Sequence, residues 1–337
     1  MCADWKDALS SIVASYDPQQ IVVVTTTAVY AARSEVAELG YPVLQLTGGE
    51  TGKSLAAVQQ IWDFLLDHHI TRRGLMICIG GGMLTDLGGF AASTYKRGIA
   101  FLPVPTTLLA MVDAATGGKT GFNYRGLKNV IGTFYSPVQT LISPDWLTTL
   151  PPRELLSGYG EMLKTALLDS EALWSRLLQL DLDRMDIAEL VPLIDACVDC
   201  KRAIVMSDPH ESGLRKALNL GHTFGHALEE KSLDEPLPHG YAVLYGLIAE
   251  LYLSVTKLAC PRQPLLQLTQ LMLHYYGKPQ CKCSEHEQLI ALMQQDKKNE
   301  RTAEINCTLL RRIGEPVINQ VITPAEAREA WEYLFSL

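Results

Sequence analysis

The chain has 337 residues, of which 47% are hydrophobic and 20% are charged, and this composition is typical of globular proteins. Because single cores rarely grow beyond about 250–300 residues, the length favours two domains. The formal net charge of −8 argues against general nucleic-acid binding. A negative net charge is still compatible with an anionic small substrate. Salt screens exposed charges beyond about 8 Å, so a few lysines close to a binding site determine the electrostatic potential there.

Short β-rich runs alternate with helical stretches in the first 150 residues. Strands are predicted at 21–24, 43–46, 75–79 and 101–104, and apolar residues at helical spacing mark 55–68 and 83–92. Alternation of this kind indicates βαβ units around a mainly parallel sheet. We therefore predict an α/β fold whose N-terminal domain, residues 1–150, is Rossmann-like and binds a nucleotide.

Helical periodicity dominates after the pair Pro151 and Pro152. Helices are predicted at 155–168, 171–180, 187–208, 218–231 and 239–258. The second domain, residues 151–337, is expected to be all helical and to bind metal and substrate, with a cleft between it and the first. The apolar run at 242–255 contains Glu250 and is shorter than the about 20 residues of a membrane span, so we expect a buried helix and no membrane contact.

The eight cysteines are expected to be reduced. The N-terminal residues are mixed polar and carry Asp4, Lys6 and Asp7, which is not the pattern of a secretory signal. A cytoplasmic location follows as the expectation. Cys197 and Cys200 have C-x-x-C spacing but lie in a predicted helix, and neither this pair nor Cys281, Cys283 and His286 is a strong metal or redox motif.

The glycine run Gly80-Gly81-Gly82 lies between a predicted strand and a predicted helix. Glycines there let backbone N–H groups approach a pyrophosphate, and a helix N-terminus favours negative charge. The G-x-G-x-x-G fingerprint is absent, so the loop alone is weak evidence. Asp86, one turn later, is either a first-turn acid favoured by the helix dipole or a ribose contact.

Two other strand ends carry polar groups. Gly48-Gly49 leads into Glu50 and Lys53, and Pro105 is followed by Thr106 and Thr107. A plain turn and a threonine helix cap would explain them equally. Together with the glycine run, however, they indicate the sheet edge at which α/β proteins usually bind ligands.

The strongest local chemistry is a group of histidines. His222 and His226 are four residues apart and share one helix face, which suits two imidazoles at one metal ion. His239 and Glu161 add a third imidazole and a carboxylate. Two histidines and a carboxylate with an open position form a catalytic zinc set, although the spacing leaves open which histidines bind.

These segments together resemble the 3-dehydroquinate synthase family of sugar-phosphate cyclases. The resemblance extends from about Thr47 to Arg301 and rests on GGGMLTD at 80–86, RG at 97–98, PTTLLAMVD at 105–113, GGKT at 117–120, LKN at 127–129, LPPRE at 150–154, EMLK at 161–164, GLR at 213–215, LNLGHTFGH at 218–226, HG at 239–240 and DKK at 296–298.

The resemblance implies a set of site residues. Zinc, or cobalt in its place, would be bound by Glu161, His222 and His239. NAD would contact Gly48, Gly49, Glu50, Lys53, Gly81, Gly82, Asp86, Thr106, Thr107, Lys119, Lys128 and Thr149. The substrate would be surrounded by Asp113, Lys119, Asn129, Lys164, Lys201, Arg215, Asn219, His226 and Lys298. Arg97 would reach the substrate phosphate, with a homodimer partner expected at this position.

The resemblance also implies the reaction. Members of the family convert 3-deoxy-D-arabino-heptulosonate 7-phosphate into 3-dehydroquinate: C5 is oxidised by NAD, the acidified C6 proton and the phosphate leave, the hydride returns, and the opened ring closes as a carbocycle. Zinc at the C5 hydroxyl would help, since it can lower the pKa of bound water to about 7. His226 and Asn219 are candidates to position protons.

Three positions depart from the family pattern. Tyr241 stands where glutamate usually follows the HG pair, Thr25 to Thr27 stand where an acidic residue often contacts the adenosine ribose, and Thr85 replaces a glycine. None of them is an implied metal ligand.

Three alternative functions fit the sequence less well. A different sugar-phosphate cyclase, acting on sedoheptulose 7-phosphate or glucose 6-phosphate, is disfavoured by Lys201 and Asn219, positions that tend to differ in those relatives. A metal-dependent polyol dehydrogenase would leave the phosphate-facing cations unexplained. A nucleotide-binding regulatory module would leave the zinc set unused.

Overall fold

A computed structural model describes residues 4–232, 236–279, 285–295 and 304–337. The chain divides into two compact units, Met1–Pro151 and Pro152–Leu337. The α/β fold class predicted from the sequence is confirmed by a parallel sheet in the first unit and a mainly helical second unit.

The sheet of the first unit has four parallel strands in the order β2-β1-β3-β4. They are β1 (Ile21–Thr26), β2 (Val43–Leu46), β3 (Leu75–Gly80) and β4 (Ala100–Pro105). β1 and β3 are buried along their whole length, as the apolar runs predicted. In a parallel sheet the strand carboxyl ends meet at one edge, so Thr26, Leu46, Gly80 and Pro105 end at the same side.

Along the chain, the strands of this sheet alternate with helices. The described α-helices of the first unit are α1 (Trp5–Val13), α2 (Thr27–Ala32), α3 (Leu55–Asp67) and α4 (Gly82–Thr94). Ser54 precedes α3, and its hydroxyl accepts the Ala57 N–H, which satisfies one of the free amides of the first turn. The face carrying Val58, Ile61 and Leu65 is fully buried. This face packs in the same core as β1, β3 and α4.

A β-hairpin completes the first unit. β5 (Lys119–Tyr124) and β6 (Leu127–Phe134) pair antiparallel, and Phe122 meets Phe90 of α4 edge-on with ring centroids 5.0 Å apart. This hairpin was not predicted from the sequence, because glycines and polar residues interrupt its apolar alternation.

The second unit contains α5 (Pro152–Asp169), α6 (Glu171–Leu178), α7 (Ile187–Ser207), α8 (His222–Lys231), α9 (His239–Leu258), α10 (Gln263–Leu271), α11 (His286–Gln295) and α12 (Pro324–Ser336). α9 is long and apolar enough to cross a membrane by length and composition, but 67% of its apolar window is buried inside the protein. It is the central helix of this unit, as expected of a buried run.

Two details correct the predicted helical pattern. The second unit is not entirely helical, since β7 (Ile305–Arg312) and β8 (Glu315–Ile322) form an antiparallel hairpin. The helix predicted at 218–231 is also interrupted: a short turn ends at Asn219, and α8 begins only at His222. Gly221 between them has φ +79°, a left-handed conformation that an α-helix does not contain and that glycine adopts without steric cost.

Candidate functional site

Three helices of the second unit bring a carboxylate and two imidazoles together. Glu161 lies in the middle of α5, whereas His222 and His239 are the first residues of α8 and α9. The His239 Nε2 atom is 3.0 Å and the His222 Nε2 atom 3.5 Å from the same carboxylate oxygen, Glu161 Oε1. In the described part of the chain, these residues form the group whose ligand atoms lie within 4.8 Å of one another.

Glycines next to Glu161 and His239 allow this convergence. A Cβ atom on Gly240 would lie 1.6 Å from the Ser157 carbonyl oxygen, and one on Gly160 would lie 2.3 Å from the Gly240 carbonyl oxygen. Such distances are far below van der Waals contact, so only glycine allows the backbones of α5 and α9 to approach this closely. Glu161 and His239 follow and precede these glycines directly and are therefore held near each other.

Hydrogen bonds at the outer nitrogens fix the histidine rings. The His222 Nδ1 atom is 3.1 Å from the Leu220 carbonyl oxygen, and the His239 Nδ1 atom is 3.1 Å from Glu229 Oε1. Both partners accept, so each Nδ1 carries a hydrogen, and each Nε2 can present its lone pair to a cation that shares the site with Glu161 Oε1. This donor set, two Nε2 atoms and one carboxylate oxygen, fits the three protein ligands of a catalytic zinc ion.

The charges around His239 favour its protonated form when no cation is bound. Burial lowers the pKa of His239, but the charges and hydrogen bonds of Glu229 and Glu161 outweigh burial and raise it to about 10. A divalent cation bound by Nε2 would replace that proton. Cation binding at neutral pH therefore releases a proton from the site.

Lys164 balances the charge of Glu161. Its Nζ atom is 2.5 Å from Glu161 Oε2, and both side chains are buried. One carboxylate oxygen thus faces a cation on its own helix, while the other faces the two histidines.

His226 lies beside this group. Its ring centroid is 5.3 Å from that of His222 and 6.3 Å from that of His239. The sequence left open which histidines share a site with Glu161, and the structure brings His222 and His239 to it and leaves His226 adjacent.

The other polar residues predicted in the second unit lie on α7 and on the segment before α8. Lys201 and Arg215 are buried cations, with 6% and 2% of their surfaces exposed. The Arg215 Nη1 donates to the Pro209 carbonyl oxygen at 2.6 Å, and the Asn219 amide donates to Glu211 Oε1 at 3.1 Å. Lys298 lies outside the described residues.

Asp208 organises that segment and was not singled out in the sequence. Its carboxylate accepts the backbone N–H groups of Ser212, Gly213 and Arg215 at 3.0, 2.7 and 3.1 Å. Burial raises the pKa of Asp208, but these hydrogen bonds outweigh it and lower the pKa to about 2. The charged carboxylate therefore fixes the loop that carries Arg215.

Two further carboxylates were missed in the sequence. Glu229 contacts His239, as described above, and the fully buried Glu250 accepts the Gly221 N–H at 2.6 Å. The Glu250 contact secures the residue before His222. A signal existed for Glu229, since His222, His226 and Glu229 have i, i+4, i+7 spacing and share one helix face.

In the first unit, glycines and polar residues gather where β3 and β4 end. Gly81 precedes the first residue of α4, Gly82, and the Thr106 N–H donates to the Gly80 carbonyl oxygen at 3.0 Å. A Cβ on Gly82 would lie 2.9 Å from the Ala114 Cβ, so side chains leave no room there for a larger residue. The glycines thus expose backbone at a helix N-terminus, where anions bind.

Lys53 and Asp86 form an ion pair at this edge. The Lys53 Nζ atom is 2.6 Å from Asp86 Oδ2, and Lys53 is buried. This contact joins the loop after β2, which contains Gly48, Gly49 and Glu50, to the first turns of α4. Thr107 also belongs here, since its side chain lies against Gly81.

The β5–β6 hairpin is tied to the same loop through Asn123. Its amide nitrogen donates to Glu50 Oε1 at 2.6 Å, and its amide oxygen accepts the Asn129 N–H at 2.9 Å. Lys119, Lys128 and Asn129 are on the two strands.

The remaining predicted residues of the first unit lie in turns. Asp113 is in a helical turn at Ala110–Ala114, Arg97 is exposed at the end of the turn Tyr95–Arg97, and the Thr149 hydroxyl donates to the Trp146 carbonyl oxygen at 3.5 Å.

Comparison with known families accounts for most of the chain. The model of the 3-dehydroquinate synthase N-terminal domain matches residues 43–157, and that of the C-terminal domain matches residues 158–299. The chain belongs to the 3-dehydroquinate synthase family.

The chain is also similar to individual relatives in sequence and in structure. A 3-dehydroquinate synthase of Parabacteroides distasonis is 42% identical over 294 residues, covering 87% of this chain and 83% of the relative. One from Pyrococcus furiosus is 44% identical over 247 residues, 72% of each chain. The structure of 2-epi-5-epi-valiolone synthase from Streptomyces hygroscopicus, with NAD+ and Zn2+ bound, is 26% identical with a TM-score of 0.82 and covers 96% of this chain and 92% of that one.

The departures from the pattern of the 3-dehydroquinate synthase family have structural roles. Thr25 and Thr27 donate side-chain hydrogen bonds to the Ile79 and Leu46 carbonyl oxygens at 2.8 and 3.2 Å. Thr25 thus ties β1 to β3, and Thr27 ties the start of α2 to β2. Thr85 donates to the Gly82 carbonyl oxygen at 3.0 Å. The Tyr241 ring packs edge-on against Tyr276, with centroids 4.7 Å apart.

The C-x-x-C pair has the environment of structural thiols. Cys197 is buried in α7 and Cys200 partly so. Burial raises the pKa of the Cys197 thiol and raises that of Cys200 to about 12. Both are therefore protonated at neutral pH and unreactive.

Proposed function

We propose that this chain is a 3-dehydroquinate synthase, a lyase that converts 3-deoxy-D-arabino-heptulosonate 7-phosphate into 3-dehydroquinate and phosphate for aromatic amino acid biosynthesis. The similarity that carries the proposal is the 42% identity to the Parabacteroides distasonis enzyme over most of both chains. The convergence of Glu161, His222 and His239 supports it, because this chemistry needs a cation at a sugar hydroxyl.

We assign zinc, with cobalt as a substitute, to Glu161, His222 and His239. NAD is assigned to the first unit, where Gly48, Gly49, Glu50, Lys53, Gly81, Gly82, Asp86, Thr106, Thr107, Lys119, Lys128 and Thr149 would contact it. When bound, NAD supplies a reversible hydride acceptor at C5 and zinc an electrophile for the C5 hydroxyl. The valiolone synthase with a similar fold binds both.

The residues of the chain itself supply binding and proton transfer. Lys201 and Arg215 are buried cations, and such groups bind carboxylate and phosphate by charge-assisted hydrogen bonds. His226, adjacent to the His222 ring, and Asn219 would position the protons that leave the C5 hydroxyl and C6. Asp113, Lys119, Asn129, Lys164, Arg97 and Lys298 complete the proposed substrate contacts.

The proposed reaction has no net oxidation or reduction. The substrate is oxidised at C5 and later reduced at the same carbon, so no hydride is consumed. Between these steps the C6 proton leaves and the bond from C7 to the phosphate oxygen breaks, which gives free phosphate. Ring opening and attack of the resulting enol on the carbonyl then form the carbocycle.

We also propose a homodimer in the cytoplasm. Arg97 is exposed, which suits a phosphate contact shared with a second copy. The neighbouring hairpin exposes Leu127, Val130 and Phe134 by 54%, 47% and 50%. Exposed apolar residues on one strand suit a protein contact surface.

The main alternative function is that of another sugar-phosphate cyclase. A pocket with buried Lys201 should favour the substrate carboxylate, because a neutral hydroxymethyl group would lose the charge-assisted hydrogen bond that the lysine can donate to the acid. A site built to bind one polar group typically discriminates strongly against an analogue that lacks that group. Phosphate release should therefore be at least about a hundredfold less efficient with sedoheptulose 7-phosphate. Lys201→Met should narrow the difference in efficiency between the two sugars, mainly by slowing the reaction of the acid substrate. Equal efficiency of the parent enzyme on both sugars would contradict the proposal.

A further inference from the structure

Glu229 is a buried carboxylate on the far side of the His239 ring from Glu161. It lies on α8 and is 8% exposed. Its Oε1 atom is 3.1 Å from His239 Nδ1, whereas Glu161 Oε1 is 3.0 Å from Nε2 of the same ring. The two nitrogens are on opposite edges of an imidazole, so the two carboxylates contact the ring from opposite directions.

This arrangement has a chemical consequence for Nε2. An imidazole that binds a metal through Nε2 must keep its hydrogen on Nδ1. A carboxylate at Nδ1 accepts that hydrogen, fixes the tautomer and the ring plane, and makes Nε2 a better electron donor. Because Glu229 is buried, water competes little for this contact.

One helix therefore serves both histidines. α8 carries His222 at its first residue and Glu229 two turns later on the same face. A displacement of α8 would move one imidazole directly and remove the hydrogen-bond acceptor of the other.

We propose that Glu229 is a positioning residue of the metal site, which holds His239 in the Nδ1–H tautomer and so increases the affinity of the site for a divalent cation. The inference rests on the proposed assignment of zinc to Glu161, His222 and His239. Glu229 is not itself a ligand in this proposal, since it lies on the edge of the ring that faces away from Glu161.

Zn2+ affinity of the metal-free protein, measured by competition with a chromophoric chelator, tests the proposal without substrate or turnover. Glu229→Gln keeps the side-chain size but removes the charge, and it should weaken Zn2+ binding about 10- to 100-fold. Glu230→Gln, one residue further and exposed, is the matched control and should stay within about twofold, since a solvated charge contributes little. The absorption bands of bound Co2+ should change in the Glu229 variant only.

A double-mutant comparison separates positioning from general loosening of the fold. In a His239→Ala background, Glu229→Gln should weaken Zn2+ binding no further, because its target is absent. An equal loss in both backgrounds, or parental affinity in Glu229→Gln, would overturn the proposal. If Glu229→Gln does not fold, Glu229→Met, of similar size, replaces it in both comparisons. Absence of Zn2+ binding in the parent protein would instead refute the metal assignment on which the inference rests.

Discussion

Lys164 lies one helical turn after Glu161 on α5, and its Nζ atom is 2.5 Å from Glu161 Oε2. Both side chains are buried, so this contact offsets part of the cost of removing the two charges from water. Removal of one partner of a buried pair typically costs about 3–5 kcal/mol. We expect Lys164→Met to lower the free energy of unfolding of the metal-free protein by that order, as measured by urea denaturation.

The same pair offers its own control. In the double variant Glu161→Gln, Lys164→Met both charges of the pair are removed together, so most of the stability should return. A double variant as unstable as Lys164→Met would show that the lysine acts by packing alone.

The ligand assignment predicts different behaviour of the histidines. Glu161→Ala, His222→Ala and His239→Ala should each be purified with little zinc and nearly no turnover. His226→Ala should keep zinc but lose activity, because its ring lies beside the three proposed ligands and outside their group. Metal analysis of the four proteins decides this, and full zinc content in the His239 variant would refute the assignment.

The close approach of α5 and α9 is expected to be essential for the metal site. Gly240→Ala would place a methyl group 1.6 Å from the Ser157 carbonyl oxygen, so the backbones must separate and carry His239 away from Glu161. Zinc content should fall sharply. Gly48→Ala, whose Cβ would lie 3.7 Å from the nearest atom, should keep its zinc; equal zinc in both variants would show that the contact can relax.

Much of the fold follows from local patterns. The apolar runs that form β1 to β4 and the helical periodicity of α5, α7 and α9 are visible in the sequence because burial repeats at fixed spacing. β5 to β8 were not predicted, since their alternation is weak or interrupted by polar residues. The break at Gly221 was also missed, because it depends on φ and on the distant Glu250.

Only some residues of the candidate site could likewise be predicted from the sequence. Glu161, His222 and His239 were identified through residue type and resemblance, but their convergence depends on the packing of three helices. Asp208, Glu229 and Glu250 act through contacts with residues distant in the chain or with backbone amides. Composition and spacing carry little information about such contacts.

Asp208 should make stability depend on pH in the acid range. Its pKa is lowered from 3.8 to about 2 in the folded protein, so its contribution is complete above the unfolded value and is lost as pH falls through the folded value. The stability difference between the parent and Asp208→Asn should therefore shrink between about pH 4 and pH 2. A difference independent of pH would mean that the charged form is not the one that holds the loop.

The central claim is that a hydride leaves the substrate and returns to it in the same catalytic cycle. Phosphate and the NADH absorbance band should be followed together in one sample containing the zinc-loaded enzyme, NAD at the enzyme's own concentration and an excess of 3-deoxy-D-arabino-heptulosonate 7-phosphate. We predict that phosphate accumulates over many turnovers, far beyond the amount of NAD present, while NADH stays a small fraction of the phosphate formed. NADH that rises in step with product after NAD is supplied in excess, or an absence of phosphate release, would contradict the account.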